Sequence, residues 1–183
     1  MPMTTTHALV PLAGFFAFAD RPVNWRLAVA AAVAAALPDV DSLAQHFLRL
    51  APGSIYAHRG AGHSLFVAMF AGLIASMFHK PLRTAPAVAG LVIGASMASH
   101  SILDMMTDTG AAVAALWPLS SARVFADWRP FHGVPVWRQH ALELTIMRLR
   151  IECWQILLPL IGASLAIRTI RAVIRSPKRA TPE

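Results

Sequence analysis

Residues 56–78 read YAHRGAGHSLFVAMFAGLIASMF, and the change of character at Ser64 decides the fold. Beyond it, Ser64–Phe78 carries no charge. Just ahead of it, His58, Arg59 and His63 crowd into six positions, with Gly60 and Gly62 between the histidines. The apolar run is shorter than the roughly 20 residues that cross a bilayer, so its environment has to be read from the rest of the chain.

The composition answers for a membrane. Of 183 residues, 56% are hydrophobic and only 14% charged, against about 25% charged in soluble domains; the mean hydropathy is +0.55. Four further apolar runs are Ala8–Ala19, Trp25–Leu37, Pro86–Leu103 and Ile151–Ile167. Gly90 and Gly94 suit close helix packing, and Pro159 is tolerable inside a membrane helix. Ala111–Trp117 is too short to span and reads as a half-helix or loop wall. The expected fold is all-α: a multi-pass bundle of about five membrane helices over residues 1–170, with a basic tail at 171–183. The N-terminus lacks the charge and cleavage pattern of a signal peptide, so the first run is expected to stay in the fold.

The net charge of +7 gathers partly in Arg168, Arg171, Arg175, Lys178 and Arg179. A basic tail beside an apolar run fits a cytoplasmic anchor on anionic lipid better than a nucleic-acid surface. No nucleic-acid partner is expected, because no basic groove interleaved with aromatics is present. The single cysteine, Cys153, excludes an internal disulfide and reads as a packed helix residue. With the tail inside, the turns at Arg21/Arg26 and Lys80/Arg83 are also inside. The N-terminus, residues 38–63 and residues 104–150 are then outside, although that side holds several arginines.

Alternate crossing brings the chemistry to one end. His7 starts the first helix, Asp39 and Asp41 follow the second, and His58 and His63 precede the third. His100 and Asp104 close the fourth, and Glu152 opens the fifth. His100 and Asp104 are i, i+4 on one helical face, and imidazole with carboxylate suits zinc, with manganese or iron as alternatives. In an extended turn after Pro38, Asp39 and Asp41 would point the same way. Arg59 is the candidate phosphate clamp, and Gly60 and Gly62 would keep this lip open to a substrate. The bland readings make His46, His79, His132 and His140 interfacial anchors and Asp20, Asp108 and Asp127 caps.

THALVPLAG, PDVDSL, HRGAGHSL, SHSILDMMTDTG and PLSSARVFADWRPF together resemble the DUF457/YdjM family of bacterial inner-membrane proteins, predicted metal-dependent hydrolases. The resemblance covers roughly residues 5–170 and implies a bacterial inner-membrane hydrolase of phosphoesters. It also implies a distant similarity to zinc-dependent phospholipase C and P1-type nucleases. Those enzymes hold three zincs and carry a late HxxxE element. Here the matching stretch is Arg148-Leu-Arg-Ile-Glu152, with arginine in place of histidine, which favours one or two ions.

The expected activity is therefore hydrolysis of a phosphate-containing or lipid-linked substrate by metal-activated water, on a face that leans periplasmic. His7, Asp39, Asp41, His58, His63, His100, Asp104 and Glu152 are the candidate ligands. Arg59 would steady negative charge, and Asp39 could double as base. The alternative is a metal or proton transporter, or a metal-stabilised structural membrane protein. Against transport, Ala28–Leu37 and Leu65–Phe78 carry almost no polar residue at mid-bilayer depth.

Overall fold

Helix starts are written locally. Asn24 caps α2 (Trp25–Ala36), its side chain accepting from Leu27 N, and the alanine-rich sequence that follows has the highest helix propensity. Ser64, in an extended conformation, caps α4 (Leu65–Met77) by accepting from Phe66 N. Pro86 opens α5 (Pro86–Met105), where its missing N–H costs nothing. The computed structural model describes residues 2–18, 22–134 and 141–175. Its remaining helices are α1 (Thr4–Phe18), α3 (Val40–Phe47), α6 (Ala141–Glu152) and α7 (Leu158–Arg175). A π-helical segment, Cys153–Leu157, joins α6 to α7 and ends two residues before Pro159. Among the described residues there is no sheet; Thr107–Phe131 and Val113–Val124 form isolated bridges.

The helices alternate as the apolar pattern required. At one end, Asn24 Nδ2 donates to Leu82 O (2.8 Å) and Arg26 Nη1 to Pro81 O (3.2 Å), joining the start of α2 to the α4–α5 turn. Arg168 and Arg171 of α7 reach Phe16 O and Ala17 O at the close of α1, where helix carbonyls lack partners. At the other end, Met3 meets Glu152 and Thr4 meets Asp39. The core joins Leu27, Ala31 and Ala34 of α2 to Ile93 of α5. Glycines bring α4 onto α5: a Cβ on Gly72 would lie 2.6 Å from Gly90 O. Outward, large apolar side chains such as Val29, Val33, Phe70, Leu73, Leu91 and Ile161 are exposed, as lipid-facing surfaces are.

Among the described residues, three helical stretches are long and apolar enough to cross a membrane: Trp25–Phe47, Pro86–Met105 and Leu142–Arg175. α1 and α4 are shorter apolar helices.

Several expectations change. The turn after Pro38 is not extended: a 3-10 turn, Leu37–Asp39, feeds directly into α3. Proline is at home in the first turn of a helix, so Asp39 and Asp41 lie on different sides of a helical path. The fifth run lies within a longer helical stretch, α7 continuing to Arg175. Ala111–Trp117 is a loop wall, with Val113, Ala114 and Ala115 buried. Ala19, Asp20, Arg21, Arg138, His140, Lys178 and Arg179 lie outside the described residues.

Candidate metal centre

Four elements deliver five polar side chains into a closed space at one end of the bundle. The first turn of α1 supplies His7, and the 3-10 turn after α2 supplies Asp39. A short 3-10 turn, Ala61–His63, supplies His63 directly before α4. The last turns of α5 supply His100 and Asp104. His7, His63, His100 and Asp104 have no exposed surface, and Asp39 is buried. Such a cluster is costly to bury without compensation.

The atoms converge. His63 Nε2 and His100 Nε2 are 3.1 Å apart. Asp39 Oδ1 is 3.4 Å from His100 Nε2 and 3.9 Å from His63 Nε2. Asp104 Oδ2 is 3.6 Å from His63 Nε2 and 3.8 Å from His100 Nε2. A tetrahedral ion with bonds of about 2.1 Å has ligand–ligand edges of about 3.4 Å, so these separations fit one ion. His7 stacks on His100, with ring centroids 3.7 Å apart, and its Nε2 is 3.7 Å from Asp104 Oδ1. Neither nitrogen of His7 has a hydrogen-bond partner. His7, Asp39 and His100, and likewise His63, His100 and Asp104, form groups able to hold an ion.

The surroundings set the tautomers. His100 Nδ1 lies 2.7 Å from Ala35 O; a carbonyl only accepts, so Nδ1 carries the hydrogen and Nε2 presents a lone pair. His63 Nδ1 lies 3.0 Å from Asp41 Oδ2, close but out of line for a full hydrogen bond, and the carboxylate favours the hydrogen on that nitrogen as well. Two imidazole lone pairs thus face each other among carboxylate oxygens. Such a set of acceptors is able to hold a cation.

Asp41 stands one layer out. Its Oδ1 is 2.7 Å from His58 Nδ1, and its other oxygen approaches His63, the arrangement of a carboxylate that orients a ligating histidine. Among the described residues, His58 forms a group able to hold an ion together with Asp39 and His63. Its backbone N–H donates to Gln45 Oε1.

Arg59 departs most from expectation. It is enclosed rather than displayed at a lip. Nε donates to Asp104 Oδ2 and Nη2 to Asp104 Oδ1, each at 2.9 Å, while Nη1 donates to Thr109 O and Ala111 O. Each of its three nitrogens is engaged, and the guanidinium steadies a cluster carboxylate instead of facing an open lip. Its backbone is left-handed (φ 62°), a conformation costing about 1 kcal/mol outside glycine. Gly110, itself at φ 91°, admits the guanidinium, since a Cβ there would lie 2.9 Å from Arg59 Nη1. Gly60 has a similar steric reason, not an open lip: a Cβ on it would collide with Ile55 O at 2.0 Å.

Glu152 stays outside the group. Both of its oxygens accept from Met3 N (2.9 and 3.0 Å), and Thr6 Oγ1 donates to Oε2. It anchors the start of α1, three residues before His7. Sequence reading missed Arg123 and Thr4. Arg123 Nη1 donates to the carbonyls of His58, Arg59 and Ala112, and Nη2 to Ser54 O; a loop arginine has no periodicity that would give it away. Thr4 Oγ1 donates to Asp39 Oδ2 at 2.5 Å. The remaining polar residues lie apart. His79 meets Thr84 O in the α4–α5 turn, and His46 is exposed beside Phe47. His132 pairs with Asp108 at 2.7 Å; with the Gly133 amide it holds the Asp108 carboxyl below its usual range.

The comparisons with known proteins agree with a membrane setting. A family model described as "YdjM inner membrane protein" matches residues 1–174. The chain is 35% identical over 136 residues to "Inner membrane protein YbcI" of Escherichia coli (strain K12), covering 74% of this chain and 78% of that one. No solved structure matches the chain.

Proposed function

The chain belongs to the YdjM family of inner membrane proteins, and on that premise we propose that it is a metal-dependent hydrolase acting on a phosphoester at the bilayer. One observation carries the reading: two imidazole Nε2 atoms 3.1 Å apart, ringed by Asp39 and Asp104 in a space closed to solvent. A shared proton would relieve that single contact. An ion would relieve it and would also be held by both carboxylates, with His7 alongside.

His63, His100, Asp39 and Asp104 would hold the ion, with His7 beside them; the nitrogen and oxygen donor set suits zinc, with manganese or iron next. The chemistry such an ion supplies when bound is Lewis acidity toward a phosphoryl oxygen and a lowered pKa for water. The chain's own groups do the rest. Asp41 turns the His63 ring and Ala35 O turns the His100 ring, so each presents Nε2. Arg59 fixes both oxygens of Asp104, and Arg123 fixes the backbone on which Arg59 sits. Asp39 is the carboxylate assigned to take a proton from water, because its Oδ2 accepts from a neutral Thr4 hydroxyl whereas the charged Arg59 guanidinium holds both oxygens of Asp104. On the same reading α1, α2, α4, α5 and the α6–α7 stretch would cross the bilayer in alternation, with this end toward the periplasm and Arg168 and Arg171 on the cytoplasmic side.

The test is metal analysis of detergent-purified protein, wild type beside His63→Ala and Asp104→Ala, followed by a phosphoester screen with a chelator control. Stoichiometric metal that both variants lose, with chelator-sensitive hydrolysis, is the expected result. Wild-type metal content in both variants would sink the proposal. A structural ion tying the helices together is the second reading, and total burial of His7, His63, His100 and Asp104 favours it. It predicts a melting temperature that follows the metal with no hydrolysis.

A further inference from the structure

Exposed apolar residues follow one another through α2 and α3 at helical spacing. Val29, Val33, Leu37, Val40, Leu43 and Phe47 are each 50–77% exposed, at intervals of four, four, three, three and four residues. A single helical face therefore runs through the Leu37–Asp39 turn. Between Arg26 and Arg49, the only formal charges are Asp39 and Asp41, and both are engaged with the metal centre rather than the stripe. The apolar face that meets lipid along α2 thus does not stop at the centre. It continues from Asp39 to Phe47, about 12 Å at helical rise.

A second measure comes from α4. It starts at Leu65, beside the ligand His63, and has 13 residues. That is about 20 Å of helix against a hydrocarbon layer of about 30 Å. The missing length lies beyond the centre, where Leu116, Leu119 and Trp128 are exposed on the loop above α4 and α5. Leu65 N donates to Ala115 O in that loop. Both measures put the edge of the hydrocarbon about 10 Å past the metal-binding atoms. The side chains of the centre that reach the surface are Asp41 and His58, 14% and 19% exposed. Exposed Val40 and Leu43 flank Asp41 in the chain, and Tyr56, also exposed, stands two residues before His58.

Resting on the hydrolase reading above, we infer that the centre lies within the hydrocarbon layer and takes its substrate sideways from the membrane. The substrate is then an amphiphile, a phosphoester whose apolar chain stays in lipid along α3 while its phosphoryl group passes Asp41 and His58. A water-soluble phosphoester would have to cross an apolar collar to reach the same atoms.

The experiment uses the full chain in vesicles of phosphatidylethanolamine and phosphatidylglycerol. With Cys153→Ser removing the one native cysteine, nitroxides are placed at Leu43→Cys and Phe47→Cys, with Val33→Cys and Lys80→Cys as lipid and water references. Collision with oxygen and with a nickel chelate reports depth. Nickel accessibility at position 43 several-fold below that at position 80, and close to that at position 33, is expected, with position 47 shallower. Values at 43 equal to those at 80 overturn the placement. Lateral access is read by mass spectrometry of Asp41 after treatment with dicyclohexylcarbodiimide, which partitions into lipid, or a water-soluble carbodiimide. Preferential labelling by the lipid-borne reagent is expected; equal, reversed or absent labelling overturns sideways entry. Metal content on the same samples separates the two readings. Lipid-buried labels on a metal-free protein reject the hydrolase and keep the depth, whereas water-exposed labels on a metal-loaded protein reject the depth alone.

Discussion

Arg59 grips Asp104 with two parallel hydrogen bonds, Nε to Oδ2 and Nη2 to Oδ1, both 2.9 Å long and both away from solvent. Removing one partner of a buried pair leaves an uncompensated charge and costs about 3–5 kcal/mol. Arg59→Ala is therefore expected to lose that much stability in detergent melts. Arg59→Lys keeps the charge but not the fork and should recover only part of it. Full recovery by lysine would show that the bidentate geometry is unimportant.

Asp41 touches two histidines but stands behind the converging ligand atoms. Asp41→Asn should weaken metal binding by about 10–100-fold, the usual effect of losing a partner that orients a ligand. Chelator competition measures this, and the melting temperature of the metal-free protein should barely move. Complete loss of metal would instead make Asp41 a direct ligand.

Glu152 offers the opposite case. Its carboxylate holds Met3 N and Thr6 Oγ1, so Glu152→Ala should cost about 1–3 kcal/mol through unsatisfied donors. Metal stoichiometry should remain that of the wild type. Loss of the ion without loss of stability would restore Glu152 to the ligand set.

Helix packing and site geometry are coupled through α4 and α5. A side chain on Gly72 meets Gly90 O, and the two helices carry or adjoin His63, His100 and Asp104. Gly72→Val should lower both melting temperature and metal content, overpacking typically costing about 1–3 kcal/mol. Gly14→Val, at a position where a Cβ meets nothing within 4 Å, is the matched control and should change neither.

Asp108 supplies a pH signature away from the centre. His132 and the Gly133 amide lower its pKa, so the carboxylate is favoured in the folded protein. The resulting stability is present above the unfolded value of about 3.9 and is lost as pH falls through the lower folded value. Melts of wild type and Asp108→Asn should differ at pH 6 and converge below that range. A difference that persists in strong acid would rule out the carboxylate as its source.

Much of the fold was legible because its signals are local. The apolar runs, the Ser64 cap and the Gly90–Gly94 spacing each act within a few residues, and alternate crossing then forces His7, Asp39, His63, His100 and Asp104 to one end. The shape of the turn after Pro38 was misread, because Asp-Val-Asp suits an extended turn as well as the helix that packing selects.

What the sequence determined by itself is the membrane bundle and the side of it on which histidine and carboxylate collect, because solvent preference and helical period are properties of neighbouring residues. What only the tertiary structure decided is which of those residues share one point in space. Arg59 turns inward because Asp104, Thr109 and Ala111, 45 to 52 positions away, offer a charged pair and open carbonyls. Glu152 turns to Met3 because the start of α1 needs its donors met. Partners so far apart in the chain leave no periodic trace, and in a nearly dry interior it is their availability that fixes where each charge points.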